Sequence, residues 1–133
     1  MPLGDLALTR VLLANDANYP WLILVPDREA VTEIYQLAAE DQAQLGKESV
    51  LLAKTLAEGF QADKMNVAAL GNVVPQLHLH HIVRYKNDPA WPAPVWGKHP
   101  AKPYGADELQ QRVQQLQSLL GDELQWSPVT VKA

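Results

Sequence analysis

The chain has 133 residues, enough for one folded domain. Hydrophobic residues make up 47% and charged residues 20%, a composition typical of a globular protein. The 11 Lys and Arg residues are outnumbered by 15 Asp and Glu, and the net charge of −4 argues against non-specific binding to nucleic acid or anionic membranes. Because there is no cysteine, a disulfide-stapled domain, a thiolate nucleophile and a cysteine metal site are excluded.

The sequence also argues against export and membrane insertion. The first ten residues, MPLGDLALTR, lack the basic start and apolar run of a signal peptide. The longest purely apolar run, residues 21–26, is far shorter than the ~20 residues that a membrane-spanning helix needs. We therefore expect a soluble protein of the cytoplasm.

The first half of the chain predicts a hairpin followed by two helices. Two runs rich in β-formers, residues 10–14 and 19–25, flank a turn-forming segment. Further along, apolar residues recur at helical spacing, which predicts a short helix and then a long helix over residues 41–58. Gly59 follows the last periodic residue, where we expect the left-handed conformation that often ends a helix.

Two more strands are predicted in the second half, at residues 65–70 and 77–85. Gly71 and Asn72 supply the turn signal between them. The run Arg84-Tyr85-Lys86 is interpreted as the solvated end of the second strand.

Prolines and tryptophans concentrate in residues 87–105, an arm that we expect to be ordered because disordered segments rarely carry tryptophan. A final helix is predicted over residues 107–120, with Gly121 as its stop. The order of elements predicts a single α+β domain over residues 1–133, with its core at about 8–98. Its antiparallel sheet would have about five strands.

Three of the four histidines lie within four residues of one another. Side chains two positions apart on a strand share a face, so Gln76, His78 and His80 are predicted on one face and His81 on the other. A polar trio backed by apolar residues is typical of a functional site. His81 and His99 are interpreted as structural or surface residues.

Two kinds of chemistry suit a pair of imidazoles on one face. A zinc site needs about three protein ligands, and no third-ligand motif accompanies His78 and His80, so metal binding is the less favoured hypothesis. In covalent catalysis, a neutral imidazole attacks phosphorus while its neighbour orients it or carries a proton. The oxygen charge then needs N–H donors, and Asn66 and the turn at Gly71 and Asn72 precede the histidines.

The segment Gln76-Leu77-His78-Leu79-His80-His81-Ile82 resembles the histidine-triad motif His-φ-His-φ-His-φ-φ, in which φ is apolar. Gln76 takes the first His position and His81 one apolar position. Asn66 and Gly71-Asn72 resemble the upstream Asn and Gly-Gln of that superfamily of nucleotide hydrolases and transferases. The hairpin with Asn15 is similar to the part that holds the ribose, and residues 88–97 are similar to a bacterial subgroup.

The resemblance implies a small α+β fold and covalent catalysis without metal or cofactor. His78 would attack the α-phosphate of a nucleoside phosphate ester, anhydride or phosphoramidate, and the nucleotidyl group would pass to water or another acceptor. His80 would hydrogen bond near the phosphate oxygens and assist the leaving group. Gln76 would act through hydrogen bonds alone, because a carboxamide does not titrate.

The same resemblance implies the binding residues. Asn66 and Asn72, with Gly71 in the same turn, would contact phosphate, and Asn15 the ribose hydroxyls. The expected partner is a nucleotide or dinucleotide, and the expected assembly is a homodimer.

Several alternatives stay open at this point. The change of the first triad His to Gln76 is compatible with a nucleotide-binding module that has lost turnover. Trp91 and Trp96 fit either stacking on a base or packing against the sheet. The apolar stripe of the long helix fits either pairing with a second copy or covering its own sheet.

Overall fold

One antiparallel sheet of six strands organises the structure, a computed structural model that describes residues 1–128. The strands lie in the order β4-β5-β3-β2-β1-β6. Their bounds are β1 Pro2–Asp5, β2 Thr9–Leu13, β3 Trp21–Pro26, β4 Lys64–Ala68, β5 Leu79–Arg84 and β6 Gln125–Trp126. Two helices, α1 Ala39–Gly59 and α2 Ala106–Leu120, complete the α+β domain, as predicted.

Helices cover one face of the sheet. The other face, which neither helix covers, is called the open face below. Alternate residues of β3, Leu22 and Leu24, are fully buried and share a core cluster with leucines of α1 and α2. Trp21, Ile23 and Val25 point to the other side and are half-buried. Because cross-strand partners point to the same side, this alternation assigns every residue of the neighbouring strands to the helix face or the open face.

The hairpin predicted from the two β-rich runs is confirmed. β2 and β3 pair antiparallel in continuous register from Thr9 opposite Pro26 to Leu13 opposite Leu22. The sequence prediction missed β1 and β6, which pair with each other at the far edge of the sheet. Both are very short, and such strands carry too little alternation to be recognised in a sequence.

α1 contains the predicted long helix, whereas the predicted short helix is a single 3-10 turn, Ile34–Gln36. α1 buries Leu45, Leu52 and Leu56 on one side, the spacing that predicted it. Neither helix within residues 1–128 has the length and apolar character to cross a membrane.

The prediction of a left-handed Gly59 is wrong. Gly59 is the last residue of α1, and the positive φ falls on Gln61, at 52°. A Cβ on Gly59 would collide with the side chain of Leu119, so glycine serves here to let α2 approach α1 closely. Gly121 does adopt a positive φ of 50° after α2, as the stop signal indicated.

The link between β4 and β5 also differs from the prediction. β5 begins at Leu79 rather than at residue 77, so residues 69–78 form a long connection instead of a tight turn at Gly71 and Asn72. Gly71 has a φ of 77°, which explains the glycine. Gln76 and His78 therefore lie before the strand and not in it.

A buried carboxylate joins α1 to the turn between β1 and β2. Glu48 is 4% exposed and accepts hydrogen bonds from the backbone N–H groups of Leu8 and Thr9 at 2.9 and 3.0 Å. The Thr9 hydroxyl and the Gln44 amide donate to it as well, both at 2.7 Å. Four donors converge on this carboxylate, so its charge is satisfied without a cation.

Glu48→Ala is expected to lower the free energy of unfolding by about 2–4 kcal/mol, because it leaves buried N–H groups without an acceptor. Urea unfolding followed by circular dichroism measures the loss. Glu40→Ala, at an exposed position in the first turn of the same helix, is the control and should change stability by less than about 1 kcal/mol. Equal losses in the two variants would show that the hydrogen bonds to Glu48 contribute nothing specific.

Candidate active site

The histidines divide between the two faces of the sheet. On β5, Leu79, His81 and Val83 point to the helix face, and His80, Ile82 and Arg84 point to the open face. His78 precedes the strand, yet its ring centroid lies 5.0 Å from that of His80. The predicted pairing of His78 and His80, with His81 on the opposite face, is therefore what the structure shows.

His78 has one ring nitrogen fixed and one available. Its Nδ1 lies 2.6 Å from the backbone carbonyl oxygen of Gln76. A carbonyl oxygen can only accept, so Nδ1 carries a proton, and in the neutral ring Nε2 carries the lone pair. His78 is half-buried, and this tautomer is the one that an imidazole nucleophile at Nε2 requires.

His80 has the opposite tautomer. The indole Nε1–H of Trp21 donates to its Nδ1 at 3.0 Å, so in the neutral ring the proton is on Nε2. Burial, followed by the proximity of His78 and His81, lowers the pKa of His80 to about 4. At neutral pH His80 is therefore an uncharged N–H donor beside His78.

Two tryptophans surround the His80 ring. Trp21 and Trp96 contact it edge-on, at centroid distances of 5.6 and 5.0 Å, and lie 5.7 Å from each other. Trp96 comes from the Pro- and Trp-rich arm, which is ordered against the open face. The structure shows Trp96 packed against the sheet, and stacking on a base stays a prediction.

Gln76 belongs to the site through its backbone. Its carbonyl holds His78, whereas its side-chain Nε2 donates to the backbone oxygen of Arg28 at 3.3 Å. The residue also lines a cavity of about 530 Å³, whose lining includes none of the histidines. The cavity walls come from the β1–β2 turn and its flanks, residues 5–10, and from the end of β3 and the following residues, 25–29.

Of the predicted phosphate contacts, Asn66 lies nearest to the histidines in the sheet. It sits on β4 opposite Ile82, two pairs away from Ala68 opposite His80. Its Oδ1 accepts a hydrogen bond from Arg84 at 2.7 Å. The amide nitrogen of Asn66 therefore points away from Arg84 and can donate to another group. Gly71 and Asn72 lie in the connection that leads to His78, and Asn72 is exposed.

Asn15 lies elsewhere. It is exposed in the β2–β3 connection, and its Oδ1 accepts the backbone N–H of Tyr104 at 2.9 Å. It does not line the cavity beside Gln76. The structure thus gives Asn15 a contact that fastens the end of the arm.

The interpretation of Arg84 as part of a solvated strand end is wrong. The Arg84 side chain is 1% exposed and forms an ion pair with Asp88, itself 3% exposed, at 2.8 Å. Arg84 also donates to the carbonyl of Ala93 and lies against the rings of Tyr19 and Trp91. An acidic residue four positions after Arg84 was the signal in the sequence, but only a folded arm can bury both charges.

Asp88 is held as an anion. Burial alone raises the pKa of its carboxyl, but hydrogen bonds from Arg84 and from the backbone of Tyr85 outweigh it, so the pKa lies below its usual value. The pair therefore stabilises the fold above the pKa of an unfolded aspartate, and this contribution disappears as the pH falls through the lowered value.

His81 is a structural residue, as predicted. Its Nδ1–H donates to the carbonyl of Leu79 at 3.2 Å, and its Nε2 accepts from the Ser49 hydroxyl of α1 at 2.8 Å. Burial lowers the pKa of His81 to about 4, although the bond to Leu79 raises it slightly. The neutral ring therefore links β5 to α1.

With this geometry in place, the sequence comparisons identify the family. The sequence model of the HIT domain matches residues 3–87. The chain belongs to the histidine triad (HIT) family. No match was found among curated proteins.

Solved structures of bacterial HIT proteins resemble this one closely. The chain is 53% identical to a histidine triad protein from Marinobacter aquaeolei, with a TM-score of 0.87 over 92% of this chain and 88% of that one. It is 46% identical to one from Bradyrhizobium japonicum, with a TM-score of 0.85 over 90% and 89%. A third, from Sinorhizobium meliloti, is 42% identical, with a TM-score of 0.86 over 90% and 89%.

Asp88→Asn is expected to lower the free energy of unfolding of this HIT protein by about 3–5 kcal/mol, because the buried Arg84 loses its counter-ion. Urea unfolding at pH 7 measures the change. The exposed Asp122→Asn is the control, with an expected effect within about 0.5 kcal/mol. A loss no larger than that of the control would contradict a stabilising role for the buried pair.

The pH dependence of stability tests His81. Its pKa is about 4 in the folded chain and near 6.5 when unfolded, so the unfolded chain gains a proton first as the pH falls, and stability is lost from about pH 6.5 downward. Between pH 7 and pH 5, His81→Gln should lose about 1–2 kcal/mol less free energy of unfolding than the unmodified protein loses. His99→Gln, at an exposed histidine, should leave the loss unchanged. An undiminished loss in His81→Gln would show that His81 is not held neutral.

Proposed function

We propose that this HIT protein is a nucleotide hydrolase or nucleotidyl transferase that acts through a covalent intermediate on His78. The observation that carries the proposal is the pair of opposite tautomers. His78 is held at Nδ1 by the Gln76 carbonyl, so Nε2 offers a lone pair, and 5.0 Å away His80 offers an N–H group. One group suits attack on phosphorus, and the other suits the oxygen charge that results.

In the proposed reaction, Nε2 of His78 forms a bond to the α-phosphorus as the bond to the leaving group breaks. The ring becomes an imidazolium, whose Nδ1–H donates to the Gln76 carbonyl, so the backbone stabilises the charge as it develops. Water or another acceptor then attacks phosphorus, the P–N bond breaks, and His78 returns to its neutral form while the acceptor's proton passes to solvent. His80 and Asn66 donate N–H groups to the phosphate oxygens.

The surroundings of Gln76, two residues before His78, support the substrate assignment. The cavity beside Gln76, of about 530 Å³, has room for the organic part of a nucleotide. Gly71 and Asn72 lie in the connection before His78 and are proposed to add donors to the phosphate. The proposed ribose contact of Asn15 requires its bond to Tyr104 to be exchanged for one to the ligand.

We also propose a homodimer. β4 is the outer strand of the sheet, and Val67 on it is 46% exposed. Val50 of α1 is 68% exposed, so strand and helix both present apolar side chains. We also propose a cytoplasmic location.

Trapping the intermediate tests the function. Brief exposure to adenosine 5′-phosphoramidate or to a dinucleoside polyphosphate, followed by intact mass measurement, should show the mass of one nucleotidyl group on the protein. His78→Ala should lack the adduct and lose at least about 10³-fold in turnover. His99→Ala, at an exposed histidine in the arm, is the matched control and should keep both.

The alternatives predict other outcomes. Nucleotide binding without adduct or turnover would support the module that has lost catalysis through the change to Gln76. Turnover that His78→Ala retains would exclude the covalent mechanism. For the metal alternative, no group of three or more potential ligands comes together within the part of the chain that the structure describes, and activity abolished by chelators would favour it.

A further inference from the structure

The contact between Trp21 and His80 restricts what His80 can do. The indole N–H is 3.0 Å from Nδ1 and occupies the lone pair that would otherwise accept a second proton. If Nδ1 were protonated, two N–H groups would face each other at hydrogen-bond distance, and neither could accept. Protonation of His80 therefore requires this contact to break.

The surroundings of His80 add to this restriction. The residue is 7% exposed, and the two indole rings that flank it cannot titrate. The groups near it that can carry charge are His78 and His81, and a positive charge on either opposes another on His80. Within residues 1–128 no carboxylate contributes to the pKa shift of His80, so burial favours the neutral ring and lowers that pKa.

The other two residues of the triad segment do not replace it as acids. Gln76 has no titratable proton, and its amide donates to the carbonyl of Arg28. The Nδ1–H of His78 is directed at the Gln76 carbonyl, away from the nitrogen that attacks. Gln76, His78 and His80 therefore offer N–H donors for phosphate oxygens, and none of the three is an acid for a leaving group.

We propose that Trp21 is a positioning residue that locks His80 as a neutral donor, and that the substrates are consequently nucleotidyl anhydrides. In an anhydride the leaving group departs as a phosphate or carboxylate anion, which is stable without a proton. An amine or an alcohol leaves readily only when a proton is delivered to it. This inference rests on the proposed function and selects among its substrate classes.

The step balances without an acid. Nε2 of His78 supplies the electron pair for the new P–N bond, and the electron pair of the breaking P–O bond leaves with the oxygen of the departing phosphate. His80 keeps its proton throughout and only donates a hydrogen bond to the phosphate oxygens. General acid catalysis contributes typically about 10²–10⁴-fold, so its absence should separate the two classes of leaving group by a factor of this size.

The first experiment compares substrates on the unmodified protein. Values of kcat/KM are measured for a dinucleoside polyphosphate, for adenosine 5′-phosphoramidate and for aryl esters of AMP whose phenols span a range of acidity. We expect the anhydride to exceed the phosphoramidate by about 10²-fold or more, and rates on the esters to fall steeply as the phenol becomes less acidic. Equal rates on anhydride and phosphoramidate would overturn the inference.

The second experiment observes His80 directly. In protein carrying ¹⁵N-labelled histidine, NMR should show His80 with Nε2 protonated and Nδ1 unprotonated from pH 7 down to pH 5. Trp21→Phe removes the donor, so His80 should titrate at higher pH, and the preference for the anhydride should narrow by about tenfold or more. Trp126→Phe is the control, because the indole of Trp126 donates to the carbonyl of Gly121. It should change neither the titration of His80 nor the preference for the anhydride.

The outcomes separate this inference from the proposed function. A His80 ring that carries a proton on Nδ1, or that titrates near pH 6.5 in the unmodified protein, would overturn the lock while leaving covalent catalysis intact. If no substrate gives an adduct, the proposed function fails and the substrate assignment fails with it. If a folded Trp21→Phe variant kept the full preference for the anhydride over the phosphoramidate, the proposed role of Trp21 would be contradicted.

Discussion

The buried ion pair of Arg84 and Asp88 holds the arm against the open face of the sheet. A guanidinium out of water is costly unless each of its donors has a partner. Here it donates to Asp88, to Asn66 and to the carbonyl of Ala93, and it lies against two aromatic rings. These partners come from β4, from the β2–β3 connection and from the arm, so satisfying one charge brings three parts of the chain together.

The candidate site depends on this arrangement. Past the ion pair, the arm continues to Val95, which is buried against Tyr19 and Ile82, and to Trp96, which contacts His80. The same arginine orients Asn66, the nearest amide on β4. Binding of the arm and orientation of Asn66, one of the proposed phosphate contacts, therefore both depend on Arg84.

Three histidines in one short segment have three different environments. His78 donates its Nδ1–H to a carbonyl, so the lone pair of the neutral ring is on Nε2. His80 is held by an indole N–H, so its Nε2 is a donor. His81 faces the helices and joins Ser49 to the strand, so its ring is structural. The residue type sets what each imidazole can do, and its neighbours select one state.

Much of the fold was predictable from the sequence, because burying one face of each element imposes a periodic pattern. Spacing by helical turns identified α1 and α2, and runs of β-forming residues beside turn signals identified the β2–β3 hairpin, β4 and β5. The short edge strands β1 and β6 were missed because two to four residues show no period. The sequence predicted a left-handed conformation at Gly59. The glycine is instead explained by the close approach of Leu119, which is distant in the chain.

By itself the sequence determined that His80 and His81 face opposite sides of β5, because alternation is a local property of an extended chain. The sequence also predicted that Asn66 lies on the strand before the histidines and that Gly71 and Asn72 lie in the link between the two strands. Only the tertiary structure decided the burial of Arg84 and the tautomers of His78 and His80. Burial of Arg84 requires the folded arm, and the tautomer of His80 depends on Trp21, which is 59 residues away in the chain and contacts it only once β3 and β5 have paired.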